Sequence, residues 1–194
     1  MRLGLTIRTL DGTTRELTVA DGHFRPAGEP VDVEIDSGGW WAVPGLADCH
    51  AHLSGGESDG WDDLDEVMER SLANAWAQLE GGVFLVADKG SADNVSLRIL
   101  DQPPDRLPDL QVAGHMIANP GGYYRDFAIE VDEADLVETV RAAAAERTPA
   151  GNRATWVKLV GDWPRKGQGA VTNFSEEAMA AAVDVAHQAD CRVA

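Results

Sequence analysis

The chain has 194 residues, enough for one substantial hydrophobic core or two small ones. With 44% hydrophobic and 25% charged residues its composition is that of an ordinary globular protein, and no apolar run approaches the roughly 20 residues of a membrane-spanning helix. The formal net charge of −17 argues against nucleic acid and anionic membranes as partners, because both select basic surfaces.

Met1 leads directly into an alternating strand pattern, so no secretory leader is expected and the expected location is cytoplasmic. Cys49 and Cys191 have no C-x-x-C spacing and both lie in apolar runs, which predicts small buried hydrophobes and neither a disulfide nor a thiolate metal site.

Residues 1–43 read as a small β-layer. Leu3, Leu5 and Ile7 alternate with small or polar residues, as do Leu17 and Val19, then Val31, Val33 and Ile35. Asp11-Gly12 and Asp21-Gly22 are turn signals between these runs. Such a layer is too small to be a stable domain alone.

From residue 44 the pattern changes. The run from Trp41 to Leu53 predicts a strand, followed by a polar loop and an amphipathic helix from about Asp62 to Glu80. The helix carries Leu64, Val67, Met68, Leu72, Ala75, Trp76 and Leu79 at spacings of three and four, and Gly81-Gly82 ends it. Val83 to Ala87 reads as a fully buried strand, and Leu110 to Ala118 as the next. Asp132 is the expected cap of a helix bearing Leu136, Val140 and Ala144. Thr155 to Val160 is a fourth strand. Ser175 caps a helix with Met179, Ala182, Val183 and Ala186 on one stripe, and a fifth strand begins at Cys191.

Alternating strands and helices imply an α/β fold with a parallel sheet. A (β/α)8 barrel needs about 250 residues, so residues 44–194 accommodate its first four to five βα units. The expectation is a partial barrel, with the remainder supplied beyond residue 194. An open, five-stranded flavodoxin-like sheet is the alternative.

The chemistry concentrates in Pro44-Gly45-Leu46-Ala47-Asp48-Cys49-His50-Ala51-His52-Leu53. Residues two apart on a strand share a face, so His50 and His52 should project side by side, about 6–7 Å apart, at the strand's end. That arrangement suits two imidazoles converging on one divalent ion. Asp48, two residues earlier, is placed on the same face, where its carboxylate would orient an imidazole N–H.

This stretch resembles the first-strand signature of the amidohydrolase superfamily, P-G-L-[IVA]-D-x-H-x-H, which follows a small N-terminal β-sandwich. Gly82-Val83-Phe84-Leu85-Val86-Ala87-Asp88-Lys89-Gly90 is similar to the G-V-T-T-V-R-D-x-G strand of the imidazolonepropionase and prolidase-like branch. The resemblance runs over nearly the whole chain. It implies a metal-dependent hydrolase that attacks a non-peptide amide, cyclic amide or related C–N or ester bond through a metal-activated hydroxide. It also implies one or two ions, zinc by default, with manganese, cobalt or iron as alternatives.

Lys158 lies within the fourth strand. Burial there lowers a lysine's pKa and frees the neutral amine, which can add carbon dioxide. In the resembled branch such a lysine is carboxylated and bridges two ions. His50, His52 and Lys158 are therefore the expected metal ligands. His115, in the third-strand segment, Tyr123 (where relatives often carry histidine), in the glycine-rich loop after it, and Trp163, in the loop after the Lys158 strand, are expected at the substrate's edge. No catalytic acid or base is assigned within the chain, since the resemblance puts the general base on an eighth strand beyond residue 194. The expected partners are a small-molecule substrate, the C-terminal part of the barrel and, in an open oligomeric state, a second copy. Two other readings remain: a mononuclear deaminase, for which the two histidines suffice, and a truncated relative without catalysis.

Overall fold

The computed structural model describes residues 1–37, 39–55 and 63–194. The chain divides into two compact units, Met1–Gly45 and Leu46–Ala194.

The first unit is a four-stranded sheet. β1 (Arg2–Arg8) pairs antiparallel with β2 (Thr14–Ala20), which pairs antiparallel with β3 (His23–Pro26). β4 (Val33–Ile35) runs parallel to β1 on its other edge. Both turn signals work as the sequence predicts. Asp21 and Gly22 each take positive φ, +52° and +73°, the conformation of a two-residue hairpin turn matched to strand twist. At the other turn the Asp11 carboxylate accepts from Thr13 N at 3.0 Å and from the Thr9 and Thr13 hydroxyls. These bonds hold its pKa well below the usual carboxylate range.

The second unit opens with β5 (Leu46–Ala51), then α1 (Leu64–Glu80), β6 (Val83–Asp88) and the short α2 (Val95–Arg98). Two 3-10 turns lead to β7 (Asp109–Ala118). β8 (Ala128–Glu130) adds to β7, and α3 (Leu136–Ala145) and β9 (Trp156–Leu159) follow. A hairpin of β10 (Asp162–Arg165) and β11 (Gly169–Thr172) precedes α4 (Glu176–Gln188) and β12 (Arg192–Val193). The main sheet is parallel, in the order β12-β9-β7-β6-β5, and curls as half of a barrel. Spatial order follows chain order without reversal. A doubly wound sheet reverses at a switch point, so the flavodoxin-like alternative is excluded.

Both cores lie on the helix side of this sheet. Ala51, Leu53, Val86 and Val112 pack with Ala75 of α1 and Leu97 of α2. Ile117, Val157 and Leu159 pack with Leu136, Val140 and Ala144 of α3 and Ala182 and Ala186 of α4. Strand alternation then turns the intervening residues to the inner, concave face.

Helix ends mostly follow local chemistry. Asp63 and Glu66 form a reciprocal capping box at α1, so the helix starts within two residues of the expected Asp62, which lies outside the described residues. Ser175 Oγ accepts from Ala178 N at α4, as expected. Asp132 instead precedes a 3-10 turn, Glu133–Asp135, and makes no side-chain cap; α3 begins one turn later, at Leu136. The segment after Lys158 that carries Trp163 is the β10–β11 hairpin. Cys191 is buried, but Cys49 is exposed, contrary to expectation, because β5 is an edge strand of the sheet and is exposed along most of its length. Among the described residues no helix is long and apolar enough to cross a membrane.

Candidate metal centre

The bulge in β5 shapes the site. Asp48 pairs with Val86 and Ala51 with Asp88, so three steps along β5 match two along β6. An extra residue at this point re-aims the side chains around it. Asp48 and Ala51, which a regular strand would set on opposite faces, both face α1: Gln78 Nε2 donates to Asp48 Oδ2 at 3.2 Å, and Ala51 is in the core. His50 alternates with Ala51 and so turns to the other face of β5; its ring centroid lies 5.5 Å from that of His52, just past the strand, with the planes tilted by 58°.

Asp48 therefore does not orient an imidazole. Its Oδ1 accepts from His50 backbone N at 3.0 Å, which braces the bulge. The oriented ring is that of His52, whose Nδ1 lies 2.8 Å from Gly90 O. A carbonyl only accepts, so Nδ1 carries the proton and Nε2 keeps its lone pair free for a ligand. Gly90 is itself positioned by Asp88, a fully buried carboxylate that accepts from Gly90 N at 2.7 Å and Leu53 N at 2.6 Å. Burial pushes the Asp88 carboxyl upward.

The His50 pKa is lowered by burial first, then by the positive charges of Lys158, His52 and Lys89. His50 thus tends toward the neutral form that a metal ion needs. Lys158 stands on β9 with its neighbours Val157 and Leu159 in the outer core, so its amine is on the inner face; burial lowers its pKa. Two paired imidazoles and a neutral-leaning amine are donors of the kind a divalent-ion site takes. Among the described residues no group of three His, Cys, Asp or Glu gathers as a metal-binding cluster.

The three residues expected at the substrate's edge are placed differently from one another. Tyr123 and Trp163, forty residues apart in the chain, have ring centroids 4.8 Å apart. Tyr124 completes the cluster, 4.6 Å from Trp163, and Phe127 lies 6.0 Å from Tyr124. Buried Asn173 holds the tyrosine loop beside the end of β9, donating to Gly122 O at 2.9 Å and Val160 O at 2.7 Å. His115 is half-buried in a second bulge, between the Ala113–Trp156 and Met116–Lys158 pairs of β7 and β9, outside the aromatic cluster.

The sequence reading missed Tyr124, Phe127 and Lys89. Lys89 stands just past the fully apolar run of residues 83–87, a signal close to that of Lys158 within its strand, and is more deeply buried.

No protein-family model matches the chain. Uncharacterized proteins of Mycobacterium bovis and Mycobacterium tuberculosis are 36% identical to it over 187 residues, covering 94% of this chain and 46% of their own length. The chain thus spans about half the length of the curated relatives it matches. Among solved structures, a Xaa-Pro dipeptidase with bound methionine superposes on all of this chain and 56% of its own, with a TM-score of 0.77 and 15% identity. A prolidase complexed with N-methylphosphonate-L-proline gives 0.76 and 21%, over 55% of its chain. An amidohydrolase gives 0.74 and 19%, again over 55% of its chain.

Proposed function

We infer that this chain, which has the fold of an N-terminal amidohydrolase portion, is the first part of a metal-dependent hydrolase: residues 1–43 are part of a β-sandwich, and residues 44–194 open a (β/α)8 barrel. The observation that carries this reading is the pair His50 and His52, with rings side by side at the C-terminal end of β5. In such barrels that end is where reactive groups collect.

His50 and His52 would hold a divalent ion, zinc by default, and Lys158 would join them once carboxylated. Bound there, the ion supplies a nucleophile from water at neutral pH and polarises the substrate carbonyl. The chain's own residues prepare the site. Gly90 O fixes the His52 ring and its tautomer, and burial keeps His50 and Lys158 toward their neutral forms. The Lys158 Nζ lone pair then bonds to the carbon of carbon dioxide, a C=O π pair moves onto oxygen, and the Nζ proton leaves to water. Tyr123, Tyr124 and Trp163 form an aromatic wall for the substrate, with His115 nearer the sheet.

The substrate class is a small molecule with an amide, cyclic amide or ester bond. A dipeptidase shares the fold, so the class includes peptide C–N bonds, and the narrower restriction to non-peptide bonds lacks support. A cytoplasmic location and assembly with the rest of the barrel complete the proposal.

Metal analysis of the protein expressed from its complete reading frame tests the reading. His50→Ala should strip the bound ion; full metal occupancy in that variant would overturn the assignment. One ion per chain with unmodified Lys158 would replace the binuclear hydrolase by the mononuclear deaminase.

A further inference from the structure

Lys89 follows β6 directly and is only 2% exposed. Its Nζ is shielded from solvent and has no hydrogen-bond partner among the described residues. It lies 3.2 Å from the centre of the Trp156 ring. The same ring meets the Arg192 guanidinium at 5.5 Å, and the Trp156 N–H and Arg192 both donate to Gln111 Oε1 at 3.4 Å. Trp156 and Lys158 are two residues apart on β9 and share the inner face.

Lys89 and Arg192 therefore meet on one indole, with Lys158 two residues along the same strand face, in a chain whose net charge is −17. A ring face offsets part of the cost of burying an ammonium, but it brings no countercharge. Lys89 also feels Lys158 directly: after burial, the Lys158 charge is among the causes that hold its pKa below the usual lysine range. Two ammonium groups in this position repel. One negative group at Lys158 would turn that repulsion into attraction and give the buried Nζ the partner it lacks.

We propose that Lys89, seated on Trp156, is a positioning residue that acts as counter-cation to a carbamate on Lys158. The proposal rests on the reading of Lys158 as a carboxylated lysine. Carboxylation changes the charge at Lys158 from positive to negative, while Lys89 stays anchored on the indole whether or not the modification is present. The burial of Lys89 is complete within this chain, so its placement does not wait on any other segment of the barrel.

The experiment uses the complete protein in 13C-bicarbonate and reads the carbamate carbon by NMR, with Lys158→Ala to assign the resonance. Lys89→Met and Lys89→Gln remove the charge and keep most of the side-chain volume. Thermal melting reports folding, and both variants should still melt cooperatively above the temperature of the NMR measurement, so that a lost signal is not a lost fold. The expected result is loss of the carbamate signal in both variants at ambient carbon dioxide, and its return at high bicarbonate. A parent signal that persists unchanged in both variants overturns the role of Lys89 alone. A parent with no carbamate signal overturns the Lys158 reading and this proposal with it.

Discussion

Gly90 has φ +101°, a backbone conformation that side chains rarely adopt, and a Cβ there would stand 2.5 Å from Gly114 O. Its carbonyl is also the acceptor that orients His52. One residue thus joins the strain of a close backbone approach to the tautomer of a candidate ligand. Gly90→Ala should destabilise the fold by about 1–3 kcal/mol and weaken metal retention together. Thermal melting and metal analysis check both; a stable, fully loaded variant would show that the carbonyl contact is dispensable. At this scale the H-x-H pair was legible, because its two-residue spacing encodes a shared face. The part played by Asp48 was not legible. Spacing placed it with the histidines, and a bulge visible only in the pairing of β5 with β6 turned it toward Gln78.

Hydrophobic periodicity locates the elements wherever one face is buried and the other is not. Leu136 of α3 is fully buried among Ile117, Val140 and Ala186, whereas Leu64 of α1 is 44% exposed although it belongs to the same kind of stripe. Leu136→Ala should therefore cost about 2–5 kcal/mol, and Leu64→Ala should stay within about 0.5 kcal/mol of the parent. Chemical denaturation of the two variants measures the contrast; equal effects would mean that α3 does not anchor its core. The same rule explains what periodicity passed over. β10 and β11 are short and polar, and Pro164 lies inside β10, so no apolar alternation marks them as a hairpin. The aromatic cluster depends on that hairpin, which brings Trp163 to Tyr123 and Tyr124.

Across the second unit, distant loops are tied by side chains. Asp101, in the turn after α2, accepts from Asn152 Nδ2 at 2.8 Å, from Ala150 N at 3.2 Å and from the Thr148 hydroxyl, all in the loop before β9. The Thr148 bond leads the causes that lower its pKa. A lowered carboxyl contributes stability that is present above its unfolded value of about 3.9 and is lost as pH falls through the folded value. Asp101→Asn should thus melt below the parent at neutral pH, with the gap narrowing in acid. A gap that does not change with pH would rule out the ionised carboxylate as its source. The order of the main parallel strands and of α1, α3 and α4, the parallel class of the sheet and the hairpin turn at Asp21-Gly22 were determined by the sequence alone, because each follows from periodicity or spacing within one short segment; the proposed ligands rest on spacing for His50 and His52 and on the family resemblance for Lys158. Tertiary structure decided the two bulges, the turning of Asp48, the aromatic cluster and the seating of Lys89 on Trp156. Each of these depends on which residues of separate strands stand opposite one another, and that register is set by packing of the whole sheet against its helices.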